Sequence, residues 1–237
     1  MKINNGKLFT KEPHKIMINT FLKTSLNAHL FNQLHSKKIP AIANFLATSL
    51  MILSLSTNLQ AATKVEFETS QGNFTVEVFP EKAPKTVANF LQYVNDGFYN
   101  NTIFHRVINR FMIQGGGFER DLTEKSTRAP IVNESNNGLL NEVGSIAMAR
   151  TMDPNSATAQ FFVNLNDNQF LNYATPDDEL IGYCVFGKVT SGLDVVQKIG
   201  ITATGNMGRF TDVPVKPITI KNAKVLAATP DKVSKKQ

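Results

Sequence analysis

Phe104-His105-Arg106-Val107-Ile108-Asn109-Arg110-Phe111-Met112-Ile113-Gln114-Gly115-Gly116-Gly117-Phe118 is the stretch on which the fold turns. Thr102–Val107 and Phe111–Gln114 have the length and the β-branched and aromatic content of short strands. Three glycines then end the regular structure and allow backbone angles closed to other residues. They do not form a phosphate loop, because no Lys-Ser/Thr follows and no G-x-G-x-x-G frame fits.

Toward the N-terminus the pattern has a period of two. Val65, Phe67 and Thr69 alternate with Glu66, Glu68 and Ser70, and Phe74, Val76 and Val78 repeat the alternation after Gly72. Two such runs joined across Ser70-Gln71-Gly72-Asn73 predict a β-hairpin. Pro84 suits the first turn of a helix, whose core stripe is Val87, Phe90, Leu91 and Val94 and whose stop is Asn95-Asp96-Gly97. Toward the C-terminus, residues 119–142 form a polar excursion. Ser145–Ala149, Gln160–Leu165 and Tyr183–Val189 are further strands, with Cys184 inside the last of them. Leu193, Val196 and Ile199 mark a second helix, and Ile218, Ile220 and Val225 close the sheet. These elements predict a mainly β protein: a closed, antiparallel, eight-stranded barrel capped by two α-helices.

The chain has 237 residues, 42% of them hydrophobic and 19% charged, which is the composition of a globular protein. Its formal charge of +6 is unevenly placed. Lys2, Lys7, Lys11, Lys15, Lys23, Lys37 and Lys38 precede residue 63 against the single acid Glu12, so the leader carries the whole excess and the body is neutral. A neutral body offers no footprint for phosphate backbones, and nucleic acid is excluded as a partner. His14, His29 and His35 also lie in the leader, leaving His105 and Cys184 in the body, too few for a His/Cys metal cluster. No Ca or Mg loop motif occurs either, so the expectation is no metal and no cofactor. A lone cysteine allows no internal disulfide. Cys184 reads as a small core hydrophobe and His105 as a structural histidine.

The leader has its own logic. Residues 39–55, IPAIANFLATSLMILSL, follow Lys37 and Lys38 and precede the small residues Ala61 and Ala62. Basic, apolar and small regions in that order are the parts of a secretory signal, although the polar lead-in is unusually long. The organisation expected is a leader with signal peptide at 1–62, a folded body at 63–228 and a flexible basic tail at 229–237. The address expected is the periplasm, with cleavage and no stable membrane insertion afterwards; retention as an N-terminal anchor facing the periplasm, or a cytosolic tail, are the alternatives.

Four ordered blocks carry a resemblance: Phe104–Phe118, Ser145-Ile146-Ala147-Met148-Ala149-Arg150, Gln160-Phe161-Phe162-Val163 and Val185-Phe186-Gly187-Lys188-Val189. In order and approximate spacing they resemble the cyclophilins, peptidyl-prolyl cis-trans isomerases, over residues 64–226. Tyr99-Asn100-Asn101, the triple glycine and the leader look most like the secreted bacterial branch. The resemblance implies that Arg106, Phe111 and Gln114 are catalytic. Arg106 would donate to the prolyl nitrogen and Gln114 would hold both Arg106 and the substrate backbone. Phe111, Met112, Phe162 and Leu171 would line a proline socket. Ala149 and Arg150 would lie beside the extended peptide, with Gln160 in an adjoining pocket and Phe170 and Tyr183 at the rim. Phe170 stands where many cyclophilins have Trp, Tyr183 where many have His, and Arg150 where Asn is common. Weak cyclosporin binding is therefore implied.

The function implied is rotation about X–Pro bonds in unfolded or exported polypeptides, by a monomer. A peptide-binding, chaperone-like module on the same scaffold with little turnover is the alternative, which would not need the full Arg106, Phe111, Met112, Gln114 and Phe162 set. A serine hydrolase lacks a second body histidine for a Ser-His-Asp arrangement.

Overall fold

The computed structural model describes residues 62–177 and 180–227. The leader, its signal region and the basic tail of the sequence reading lie outside these residues. Among the described residues the strands are β1 (Lys64–Thr69), β2 (Gly72–Val78), β3 (Phe104–Ile108), β4 (Met112–Gly115), β5 (Ser145–Met148), β6 (Phe161–Asn164), β7 (Val185–Ser191), β8 (Thr204–Met207), β9 (Phe210–Pro214) and β10 (Ile220–Leu226). The two α-helices are α1 (Pro84–Asn95) and α2 (Leu193–Gly200). No described helix is long and apolar enough to cross a membrane.

The β1–β2 hairpin forms as its alternation requires. Val65, Phe67, Phe74, Val76 and Val78 are buried, and Phe67 pairs with Phe74 across the strands, their rings stacked at 4.9 Å. Helix α1 opens at Pro84 and lays Val87, Phe90, Tyr93 and Val94 on the core. Ala83 supplies no side-chain cap. The Glu134 carboxylate does so from the polar excursion, accepting from the Thr86 N–H at 2.8 Å, the Thr86 hydroxyl at 2.7 Å and the Lys85 N–H at 3.2 Å.

All strand pairs are antiparallel, in the order β10-β1-β2-β7-β5-β6-β4-β3, with β8 and β9 forming a separate hairpin. The expectation of a closed barrel is therefore corrected: the eight-stranded sheet is an open, curled half-barrel with β3 and β10 as its edges. Among the described residues the edges meet backbone to backbone over Asn101–Phe104, where Ile220 N–H donates to Thr102 O at 2.8 Å and Phe104 N–H to Ile218 O at 3.0 Å. Ile103 and Thr219 make a single bridge there. β10 begins at Ile220, where this contact ends, and β9 packs beside β3 instead, so no ladder develops. Cys184 also departs from expectation, lying immediately before β7 rather than within a strand.

Four strands bury both faces, and the period of two sorts their side chains into two cores. Ile113, Ile146, Met148, Phe161, Val163 and Phe186 join the main core inside the curl. Met112, Ala147, Phe162 and Val185 point the other way and, with Leu171, form a second, smaller core. That second face carries the site.

Candidate active site

Register assembles the site before any loop contributes. Arg106 on β3 stands opposite Gln114 on β4, and Gln114 opposite Phe162 on β6. Phe162 in turn faces Ala147 on β5, and Ala147 faces Val185 on β7. One cross-strand row thus runs from a guanidinium through a carboxamide to a phenyl ring and a small apolar floor. Met112 lies two residues from Gln114, on the same face of β4.

Above this row is a hollow of about 120 Å³ lined by Arg106, Phe111, Met112, Gln114, Phe162 and Leu171, with Ala149, Arg150 and Tyr183 at its side. That is room for one small ring. Met112, Phe162 and Leu171 are buried, whereas Phe111, Gln114, Arg106, Ala149, Arg150 and Tyr183 are partly open. Phe111 sits in the β3–β4 turn, one residue before β4 begins at Met112, whereas the sequence suggested a strand from Phe111 itself. Its carbonyl accepts from the Leu165 N–H and the Asn168 side chain, both at 2.9 Å, which fixes the turn. Arg110 precedes it at φ 59°, the left-handed angle that closes the hairpin.

The polar side chains are individually tied. Gln114 Nε2 donates to Gln160 Oε1 at 3.1 Å, so Gln160 touches the site through Gln114 rather than from the hollow. No hydrogen bond joins Gln114 to Arg106 among the described residues. The guanidinium instead has Asp212 of β9 beside it, Nε to Oδ2 3.9 Å. Arg150 donates from Nε to Gly182 O at 3.1 Å and from Nη1 to Thr151 O at 2.9 Å, while its guanidinium lies 4.7 Å above the Tyr183 ring. Tyr183 meets Phe162 edge-on at 5.6 Å. Phe170 is outside the hollow and 74% exposed; it stacks on Phe111 at 5.6 Å and borders a wider neighbouring groove with Met152, Leu180 and Tyr183.

His105 faces away from the site and is buried against Phe118 at 4.5 Å; burial first, then the Arg106 charge, lowers its pKa to about 4. It is neutral at pH 7 and has no reach to the hollow. Cys184 is buried beside the Thr86 hydroxyl, and burial pushes its thiol up to about 11, so it is no nucleophile. Sequence reasoning missed Asp212, and it missed Ala147 and Val185 as the residues packed beneath Met112, Phe162 and Leu171. Strand alternation in Ser145–Ala149 and Val185–Val189 held a signal for the floor; Asp212 had none.

A structure in which a half-barrel turns an Arg–Gln–Phe row outward onto a ring-sized hollow, apolar on one side and polar on the other, is that of a cyclophilin. Residues 64–225 match the family model for cyclophilin type peptidyl-prolyl cis-trans isomerases. Peptidyl-prolyl cis-trans isomerase B of Escherichia coli is 55% identical over 161 residues, covering 68% of this chain and 98% of that protein. The cyp18 isomerase of Streptomyces antibioticus is 55% identical over 162 residues, again 68% and 98%. Among solved structures, a cyclophilin type isomerase of Cryptosporidium parvum has a TM-score of 0.60 at 27% identity, covering 71% of this chain and 99% of its own. The same parasite protein crystallised in the presence of the dipeptide Ala-Pro has a TM-score of 0.58. The chain belongs to the cyclophilin-type peptidyl-prolyl cis-trans isomerases, and its activity is rotation about peptidyl-prolyl bonds.

Proposed function

We propose that Arg106 drives this rotation by donating to the prolyl nitrogen, with the proline ring seated on Met112, Phe162 and Leu171 under Phe111. Amide resonance sets a barrier of ~18–20 kcal/mol, and twisting removes it by localising the nitrogen lone pair. No covalent bond breaks and no proton leaves the peptide. The catalyst needs only to bind the twisted amide better than either planar form. An acceleration of ~10⁵ asks for about 7 kcal/mol of such preference, at 1.36 kcal/mol per decade. A guanidinium is permanently charged and planar, and it gains a new acceptor only when the nitrogen pyramidalises. The apolar floor holds the ring and excludes water, which strengthens that contact.

Gln114 and Gln160, bonded to each other, have amide groups left for the substrate backbone. Arg150 is committed to two carbonyls and to Tyr183, so its part is the wall of the hollow rather than catalysis. Phe170 supplies apolar area but no N–H donor, which leaves cyclosporin-type macrocycles weakly held. The leader's basic, apolar and small regions support export to the periplasm, where the clients are proline-containing exported proteins and the working form is a monomer.

The cross-strand row Arg106–Gln114–Phe162 facing the hollow carries this reading. Arg106→Ala lowers kcat/KM on an X–Pro peptide by two or more decades in a protein whose thermal unfolding is unchanged. Full turnover in that folded variant, by protease-coupled or NMR exchange assay, rejects the donor role.

A further inference from the structure

A differential donor works only if it is aimed, and Arg106 is a long side chain left 41% exposed. Gln114, the neighbour expected to hold it, gives its amide N–H to Gln160. The group that does face the guanidinium comes from the β8–β9 hairpin. Asp212 Oδ2 lies 3.9 Å from Arg106 Nε, and Thr211 Oγ1 donates to the same carboxylate oxygen at 3.3 Å. The hairpin is itself anchored: Phe210 meets Phe118 edge-on at 5.1 Å, and Phe118 packs on His105, the residue before Arg106 in β3. Asp212 also breaks the extended geometry of β9, with φ 58°. That angle admits glycine and short polar residues such as Asn and Asp, and of these only Asp carries charge.

We propose that Asp212 is the positioning residue of the isomerase site: its carboxylate holds the Nε edge of Arg106 so that the terminal nitrogens face the prolyl nitrogen. The inference rests on Arg106 as the donor. Ordering the guanidinium before the substrate arrives spares the transition state that loss of side-chain freedom. The planar peptide makes little use of the donor, so Asp212 acts on rotation and not on substrate affinity.

Asp212→Asn is the test, because Asn keeps the shape and tolerates the left-handed angle. NMR line shapes of a capped, uncharged Ala-Pro peptide separate its Kd from the rate of rotation on the enzyme. The variant rotates the bound peptide about two- to five-fold more slowly than wild type, the range of a partly exposed ion pair, with Kd unchanged. In an Arg106→Ala background the same substitution changes nothing, since its effect passes through the arginine. Raising ionic strength from about 0.01 to 1 M, which shortens the Debye length from ~30 to ~3 Å, slows wild type toward the variant and leaves the variant flat. Undiminished rotation in Asp212→Asn, or an equal loss with and without Arg106, overturns the proposal. Arg106→Ala measured alone keeps the two questions apart: its full activity would remove the donor, whereas its collapse beside an unaffected Asp212→Asn would remove only the tether.

Discussion

His105 and Arg106 share a peptide bond and have opposite fates. Arg106 turns out to solvent at the hollow; His105 turns in, its Nδ1 without a hydrogen-bond partner among the described residues. Burial lowers the imidazole pKa to about 4, against ~6.5 in an unfolded chain. Between those values the unfolded chain binds the proton and the native protein does not. The stabilising contribution is therefore complete above pH 6.5, and it fades as pH falls toward 4. The difference corresponds to about 3 kcal/mol. His105→Leu removes this titration while keeping apolar volume. Urea unfolding from pH 7 to pH 4 should show wild type losing stability faster than His105→Leu, and parallel curves for the two would refute the burial argument. Turnover at pH 7 should be unaffected by His105 protonation, since the group is neutral there.

At the scale of elements, the glycine run after β4 divides into a folding position and a site position. Gly116 has φ 81°, and a Cβ there would come within 2.8 Å of the buried rings of Phe161 and Tyr99. Gly116→Ala therefore costs about 2–4 kcal/mol in urea unfolding, through overpacking and a left-handed angle. A Cβ on Gly117 would meet Gln160 instead, 2.5 Å from its Cγ. Gln160 can swing away, but its bond to Gln114 goes with it. Gly117→Ala is expected to lower kcat/KM about ten-fold, a loss of ~1.4 kcal/mol in transition-state binding, with a smaller effect on stability. Equal stability losses in the two variants, or full turnover in Gly117→Ala, would contradict this division. The same scale explains what could be read in advance. Hairpin β1–β2 and both helices were legible because each buries one face and leaves the other polar. On β4 and β6, Met112 beside Ile113 and Phe161 beside Phe162 are all apolar, so the pattern could not say which face was core and which was socket; register decides that. Hairpin β8–β9 was illegible because every residue of β8 is exposed and no alternation exists to detect. Asp212 went unnoticed for that reason.

Over the whole molecule, the eight strands of the main sheet were readable but its closure was not. Closure depends on pairing between β3 and β10, more than a hundred residues apart, and no local pattern encodes it. The body nonetheless spans 98% of the Escherichia coli relative. Its N-terminal limit is sharp. Strand β1 begins at Lys64 and lies between β2 and β10, with both edges bonded. The Thr63 carbonyl still takes part, accepting from the Val78 N–H at 3.0 Å. A cut before Thr63 spares every one of these bonds, whereas a cut two or three residues later would strip the end of a central strand. The processing proposed at the small residues Ala61 and Ala62 would meet that limit, and it would also remove the leader's whole charge excess, leaving a neutral body. A recombinant chain starting at Thr63 should match the full chain in melting temperature and in kcat/KM, while one starting at Phe67 should lose several kcal/mol or fail to fold. Protein taken from its native host should begin at Ala62 or Thr63 by N-terminal sequencing and should be released with the periplasmic fraction. Recovery of chains that still carry residues 1–60 would rule out export by a cleaved signal, and the clients would then have to be sought elsewhere.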